Sequence, residues 1–209
     1  MWYRAGSIDE VNGKTGVAHL LEHMLFKSTK NLGDIKKQLS DKGGAANGTT
    51  YYDRTNYYQT FPANPDNLKW ALEMEADRMV NSLIARKDLD TEFSVVRNEM
   101  ESGENNPHMM LWQRMASTAF DWHNYGKSTI GARTDVENVK IEKLQNFYRK
   151  YYQPDNAVLL VAGKFEAGST LALIQQVFGA IPKPKRVLEP TYTQDPAQDG
   201  NREVTVRRT

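Results

Sequence analysis

The sequence predicts an α+β fold, because strand-like and helix-like segments are mixed along the chain without strict alternation. The stretch from Asn47 to Phe61 is rich in Thr and Tyr, a composition that favours strands. Other stretches carry apolar residues at helical spacing, as between Asp66 and Ser82. No internal repeat of roughly 20–50 residues is apparent.

The first elements follow from local patterns. Residues Met1 to Ser7 are typical of the end of a strand that runs into a turn, and a polar loop follows as far as Thr15. Residues Thr15 to Phe26 are apolar on most faces, which predicts a buried helix. A short amphipathic helix is predicted from Asp34 to Ser40. The Thr- and Tyr-rich stretch is predicted to form two strands joined by a turn at Asp53–Arg54.

The rest of the chain is mainly helical by pattern, with two further strands. Predicted helices run from Asp66 as N-cap to Ser82, Arg86 to Gly103, Pro107 to Phe120, Asp135 to Tyr151 and Ser169 to Phe178. The apolar run Ala157 to Ala162 predicts a short buried strand. The alternating segment Arg202 to Arg208 predicts a last strand.

Composition excludes several classes of function. The 209 residues include 27 Lys or Arg and 26 Asp or Glu, and this balance is too even for a nucleic-acid binder that works by charge alone. The absence of Cys excludes disulfides, thiolate metal sites and a Cys nucleophile. The longest apolar stretch, Ala157 to Gly163, is far shorter than the ~20 residues of a membrane-spanning helix. We therefore expect neither a nucleic-acid partner nor a membrane span.

The strongest functional signal is the sequence His19-Leu20-Leu21-Glu22-His23. On a helix, His19 and His23 face the same side, so their imidazoles can converge on one metal ion. Zinc is the default metal for neutral His nitrogens with a carboxylate in a chain without Cys. Glu22 can reach a water on the metal without being a ligand, which is the arrangement that a general base needs.

A catalytic zinc site needs a third protein ligand, which the helix predicted from Arg86 to Gly103 can supply. Glu92 and Glu99 are seven residues apart and share a face of that helix, and their apolar neighbours indicate burial. Two buried carboxylates near a further Glu would repel one another unless a cation lay between them. We assign Glu99 as the third ligand, and Glu92 as the residue that holds a ligand His by its outer N–H. His108 and His123 lie outside this pattern and are interpreted as surface or loop residues.

These segments resemble the amino-terminal half of the pitrilysin or insulinase (M16) family of zinc metallopeptidases, whose motif is the inverted zincin pattern H-x-x-E-H. The similarity runs through nearly all of the chain and is closest to the branch of bacterial enzymes and the mitochondrial processing peptidase. It rests on Gly6 to Glu10, Gly16 to Lys27, Gly43-Gly44 with Asn47 to Thr50, Glu92 with Glu99, His123 to Tyr125 with Gly131, and Tyr151 to Asn156. Gly48 replaces the family's usual Ala, and Asn124 its usual Pro.

The resemblance implies one Zn²⁺ per chain and three kinds of residue around it: the zinc ligands His19, His23 and Glu99, the catalytic base Glu22, and the supporting acid Glu92. It also implies that Asn47 and Gly48 lie on the strand that pairs with the extended substrate. A strand edge beside a metal can hold a peptide by backbone hydrogen bonds, which agrees with this role.

The resemblance further implies that residues 1–209 form one M16 half-domain, a mostly antiparallel sheet with helices packed on one face. In the family, a hairpin precedes this region and a second, related half-domain follows, so we expect the chain to be truncated at both ends. The second half-domain, on the same chain or a partner chain, normally closes the chamber around the peptide. A fragment without it could bind zinc yet cleave poorly.

We therefore predict a zinc-dependent endopeptidase that hydrolyses extended peptides or unfolded segments, with a metal-activated water and Glu22 as general base. The alternative is a non-catalytic structural or substrate-binding half of an M16-type assembly, and the intact motif argues against it. The compartment stays open, with the periplasm or secretion favoured for a bacterial protein.

Overall fold

The computed structural model describes residues 1–190 and 192–207 and confirms the predicted α+β class. Its four strands are β1 (Trp2–Tyr3), β2 (Ala45–Thr50), β3 (Thr55–Thr60) and β4 (Ala157–Val158). Its helices are α1 (Val17–Met24), α2 (Ile35–Asp41), α3 (Pro65–Asn81), α4 (Arg86–Glu104), α5 (Pro107–Ala119), α6 (Arg133–Glu137), α7 (Ile141–Tyr151) and α8 (Ala167–Gly179). Within the described ranges, no helix combines the length and the apolar character that crossing a bilayer requires.

The strands form one sheet in the order β2-β3-β1-β4, and all neighbours are antiparallel. One face of the sheet is buried, since Tyr3 and Tyr57 are almost inaccessible and the Tyr57 hydroxyl lies 3.0 Å from that of Tyr152 at the end of α7. The other face is open, because Trp2 and Tyr58 are exposed. The helices thus cover one face, as expected from the family resemblance.

Helix α1 packs against β2, α4 and α7. It begins after Gly16, whose φ of +84° favours glycine. A Cβ on Gly131 would lie 2.4 Å from the Gly16 nitrogen, so the two loops meet only because both residues are glycine. The Glu10 carboxylate accepts hydrogen bonds from the N–H groups of Gly16 (2.9 Å) and Ala18 (2.8 Å), which satisfies donors at the start of the helix. Burial raises the pKa of Glu10 to about 7.

Most predicted helices are shifted by one or two residues at their ends, and two of them differ in their N-cap or in their continuity. The N-cap of α3 is Asn64 rather than Asp66, because Pro65 occupies the first helical position and the Asn64 side chain accepts from the Asn67 N–H at 2.7 Å. The helix predicted from Asp135 to Tyr151 is divided into α6 and α7. Asp135 is engaged by Thr15, which donates to it from its N–H (2.9 Å) and its hydroxyl (2.7 Å), and this contact holds α6 against the first loop.

The two strands predicted near the C-terminus are largely wrong. Strand β4 covers only Ala157–Val158 instead of Ala157 to Ala162, because its neighbour β1 offers only two residues for pairing. The apolar run is not buried either, since Leu160 is 73% exposed. Residues 202–207 form no strand, and Arg208 lies outside the described residues. An alternating pattern cannot form a strand where no neighbouring strand is available to pair with it.

Candidate metal centre

Three side chains converge where α1 crosses α4: His19 and His23 from α1, and Glu99 from α4. Each offers one ligand atom, and these atoms lie within 4.8 Å of one another. Oε2 of Glu99 lies 3.4 Å from Nε2 of His23 and 3.6 Å from Nε2 of His19. The structure thus brings together the three residues that the sequence predicts as metal ligands.

The two α4 carboxylates next to the His residues, Glu92 and Glu99, differ in burial. Glu92 is 5% exposed, as the sequence predicts. The expectation that Glu99 is also buried is wrong, because its side chain is 44% exposed. The cluster therefore has one open side, which a catalytic metal needs for water and substrate.

The outer nitrogen of His23, Nδ1, lies 3.0 Å from Oε2 of Glu92. A carboxylate only accepts hydrogen bonds, so Nδ1 donates, and the lone pair of Nε2 then faces the carboxylate of Glu99. Two acceptors 3.4 Å apart are stable only with a proton or a cation between them. The other Glu92 oxygen contacts the ammonium of Lys27. Burial acts to raise the pKa of Glu92, but the hydrogen bonds from Lys27 and His23 outweigh it and lower that pKa.

The donor set of the cluster fits zinc. Nδ1 of His19 is buried and has no hydrogen-bond partner among the described residues, so hydrogen bonding does not explain why this imidazole is held here. Burial and the neighbouring His23 lower the pKa of His19 to about 4, which keeps the ring neutral near pH 7. Neutral imidazoles and a carboxylate are typical ligands of Zn²⁺.

Glu22 lies on α1 between the two His residues, and it points to strand β2 instead of joining the cluster. The hydroxyl of Thr50 donates to Oε2 of Glu22 at 2.6 Å. A Cβ on Gly48 would lie 2.7 Å from Oε1, so the missing side chain lets the carboxylate approach the strand. Burial raises the pKa of Glu22, and the hydrogen bond from Thr50 opposes that effect. A carboxylate held in this way beside a metal centre is suited to accept and return a proton.

Strand β2 forms one edge of the sheet. It pairs with β3 on one side, and on the other side no strand of the described chain pairs with it. Asn47 is exposed on this strand, and its side-chain oxygen accepts from the N–H of Gly48 at 2.9 Å. Substrate binding by Asn47 and Gly48 stays a prediction, and the free strand edge is compatible with it.

An aromatic cavity of about 280 Å³ lies beyond the end of β2. It begins at Tyr51, the residue after Thr50, and α5 forms its far side. Most of its surface is apolar or aromatic, with lining residues Tyr51, Tyr52, Asp53, Trp112, Met115, Ala116, Ala119, Phe120 and Tyr125. Its first lining residue, Tyr51, directly follows Thr50 in the chain, and the Thr50 hydroxyl donates to Glu22.

The sequence analysis assigned no role to two residues of the site. Lys27 contacts Glu92, and Thr50 contacts Glu22. The only signal for Lys27 is its position four residues after His23, and Thr50 stands among several other Thr residues. His108 and His123 lie outside the cluster, as predicted: His108 is exposed, and Nδ1 of His123 accepts from the N–H of Tyr125 at 3.2 Å.

Two family models match the chain. The model described as insulinase, peptidase family M16, matches residues 1–133, and the model described as peptidase M16 inactive domain matches residues 138–209.

Individual proteins show the same similarity. The zinc protease PqqE of Helicobacter pylori is 35% identical over 211 residues, which cover 99% of this chain and 47% of that protein. The crystal structure of a protease from Helicobacter pylori has a TM-score of 0.88 at 34% identity, covering 95% of this chain and 48% of that one. The first half of the periplasmic protease PqqL from Escherichia coli shares the fold, with a TM-score of 0.83 at 23% identity, and the match covers 92% of this chain and 42% of that one. The chain spans about half the length of the relatives that it matches.

Proposed function

The chain belongs to the insulinase family of peptidases, family M16, and on this premise we propose that it carries the metal centre of a zinc-dependent endopeptidase. The proposed substrates are extended peptides or unfolded segments of proteins. One observation carries the proposal: the cluster of His19, His23 and Glu99 lies beside the carboxylate of Glu22, at the free edge of a sheet.

His19, His23 and Glu99 would hold the zinc ion, and Glu92 would fix the ring of His23 through its Nδ1–H. Bound zinc supplies a Lewis acid that polarises a peptide carbonyl and lowers the pKa of a water. Glu22 would accept a proton from the attacking water and return it to the leaving amine nitrogen. The contact with Thr50 would hold the Glu22 carboxylate in position for both transfers.

The substrate would lie along β2 as an added strand, paired through backbone N–H and C=O groups. Asn47 and Gly48 would contact it next to Glu22. Such pairing contacts only the backbone of the substrate and does not distinguish its side chains. Selectivity among substrates would therefore come from side-chain pockets. We propose that the aromatic cavity that begins at Tyr51 takes a large apolar side chain of the substrate.

Residues 1–209 would act as the amino-terminal catalytic half-domain of a larger peptidase. Their fold matches the first half of a solved protease. We propose that a complementary M16 half-domain, on the same chain or on a partner, closes the open side of the site at Glu99.

The test is a matched pair of substitutions in this chain, with the complementary half-domain added if the chain alone is inactive. Glu22→Gln should keep one zinc per chain and lower the hydrolysis of an unstructured fluorogenic peptide by at least about 10²-fold, because it removes only the proton acceptor. Glu99→Gln should weaken zinc binding itself, because an amide replaces the charged ligand. Zinc content after dialysis and the rate of peptide cleavage distinguish the two effects.

Two results would overturn the proposal. A Glu22→Gln protein that cleaves at the wild-type rate would remove the base from the mechanism. A wild-type chain that binds one zinc but cleaves nothing, even with the complementary half-domain, would favour a structural or substrate-binding half.

A further inference from the structure

Lys27 lies beside the metal centre without belonging to it. Its ammonium contacts Oε1 of Glu92, and the other oxygen of that carboxylate lies 3.0 Å from Nδ1 of His23. We propose that Lys27 is a positioning residue, which holds Glu92 in the orientation that fixes the ring of His23 for zinc. This inference rests on the proposed zinc site.

The local backbone brings Lys27 to this place. Helix α1 ends at Met24, but the N–H of Lys27 still donates to the carbonyl of Met24 at 3.1 Å, so the chain completes a further turn. A residue four positions after His23 therefore follows it on the same face. The Lys27 side chain is 30% exposed, so the ammonium reaches Glu92 from the solvent side of the α1–α4 contact.

The carboxylate of Glu92 has two partners, one for each oxygen. With only the imidazole as a partner, it could rotate about its side-chain bonds and release Nδ1. The ammonium fixes the second oxygen, so that each oxygen of the carboxylate has one contact and rotation of the group would break both. His23 in turn keeps Nε2 directed at Glu99, 3.4 Å away. Three consecutive contacts thus connect Lys27 to the ligand atoms.

The charges of these groups also support a role for Lys27 in holding Glu92. Glu92 is buried, and a buried carboxylate is costly unless a cation or several donors compensate it. A neutral imidazole supplies one donor and no charge. The ammonium of Lys27 supplies the compensating charge without touching the ligand atoms of the cluster, which are left free to bind the metal.

The test measures the zinc dissociation constant of the complete chain by competition with a chelator, at one pH, for wild type, Lys27→Met, Glu92→Gln and the double variant. Lys27→Met keeps the aliphatic stem and removes the charge, and it should weaken zinc binding by about tenfold. In the Glu92→Gln background the same change should have no further effect, because Lys27 acts through Glu92. Lys27→Arg should restore most of the affinity.

Lys37→Met is the matched control, because Lys37 forms an exposed ion pair with Asp41 on α2, away from the cluster. It should leave the zinc dissociation constant unchanged. Thermal unfolding of the metal-free variants is the check for a mere clamp between α1 and α4. A Lys27→Met chain that is fully folded at the assay temperature and still binds zinc more weakly has lost positioning and not folded protein.

The inference is overturned if Lys27→Met binds zinc as tightly as wild type, or if its effect persists unchanged in the Glu92→Gln background. These failures leave the proposed function intact, because wild type still binds zinc. A wild-type chain that binds no zinc would instead overturn both proposals.

Discussion

The contact between α1 and α4 and the C-terminal arm, residues 182–207, use similar charged groups in opposite surroundings. Where α1 packs against β2 and α4, Glu22 and Glu92 are buried, and each is held by a residue from another part of the chain. In the arm, the described residues 182–190 and 192–207 form no helix or strand. The arm is attached by the packing of Leu188 against the core and by ion pairs near the surface, of which Arg202 with Asp121 is one.

The difference lies in what replaces a contact when it breaks. At the surface, water takes the place of either partner, so an ion pair contributes little to the free energy of unfolding. At the helix contact, water has little access, and a carboxylate that loses its partner stays uncompensated. Loss of a partner should therefore cost more free energy for the buried carboxylates of the candidate metal centre than for the ion pairs of the arm.

The largest effect is expected from the partner of the proposed base. Thr50→Val removes the hydroxyl that donates to Glu22 and keeps the shape of the side chain. Loss of a hydrogen bond to a charged group should lower kcat/KM for an unstructured peptide by about 10- to 100-fold. Zinc affinity should not change, because Thr50 does not contact a ligand.

Thr49→Val is the control for this substitution, since the hydroxyl of Thr49 lies 2.8 Å from the side chain of Asn56 and does not contact Glu22. Equal losses of activity in the two variants would mean that the strand is damaged in general, and would contradict a specific contact with the base.

A smaller effect is expected at Glu10, a further buried carboxylate near α1. Burial raises its pKa from 4.5 to about 7, so the folded chain binds the proton more tightly than the unfolded chain does. Its contribution to stability is therefore complete below pH 4.5 and is lost as the pH rises to about 7. Glu10→Gln cannot titrate, so the free-energy difference between wild type and variant should change with pH over this window.

Urea unfolding of the metal-free chain at about pH 5, 6 and 7.5 measures that difference. The free energy of wild type relative to Glu10→Gln should fall as the pH rises. A difference that stays constant with pH would show that Glu10 titrates alike in the folded and unfolded chains.

The smallest effect is expected in the arm. Arg202→Met removes the hydrogen bonds to Asp121, of 2.7 and 2.8 Å, and those to the carbonyls of Thr118 and Ala119. Because the site is partly exposed to water, the free energy of unfolding should fall by no more than about 1 kcal/mol. Zinc affinity should stay at the wild-type value. Urea unfolding at low and high salt measures the change, and a loss well above this limit would break the comparison, because the arm would then be as tightly coupled as the metal centre.

Much of the geometry of the candidate metal centre could be predicted from the sequence. The spacing of His19 and His23 places both rings on one face of any helix, and seven residues separate Glu92 from Glu99 on another. These are consequences of helical geometry, which depends on local sequence alone. The sheet was predicted well only at β2 and β3, where two adjacent strands pair with each other and need no distant partner.

The predictions from sequence are wrong or incomplete where the structure of a segment depends on a partner far away in the chain. The run from Ala157 to Ala162 has the composition of a buried strand, yet only two of its residues find a partner in β1. The burial of Glu99 depends on how far α1 extends over α4, which no local pattern of α4 contains. The contacts of Lys27 with Glu92 and of Thr50 with Glu22 join residues 65 and 28 positions apart.

The sequence by itself therefore determined the fold class, the helix that carries the two His residues and the residue types of the candidate metal cluster. Cysteine is absent, so only His nitrogens and carboxylate oxygens remain as typical zinc ligands, and periodicity places two His and two Glu on the faces of two helices. Only the tertiary structure decided how those faces meet, which side of the cluster stays open, and which side chains hold Glu22 and Glu92 in place. Periodicity defines a face, whereas the residue that packs against it is set by the whole chain.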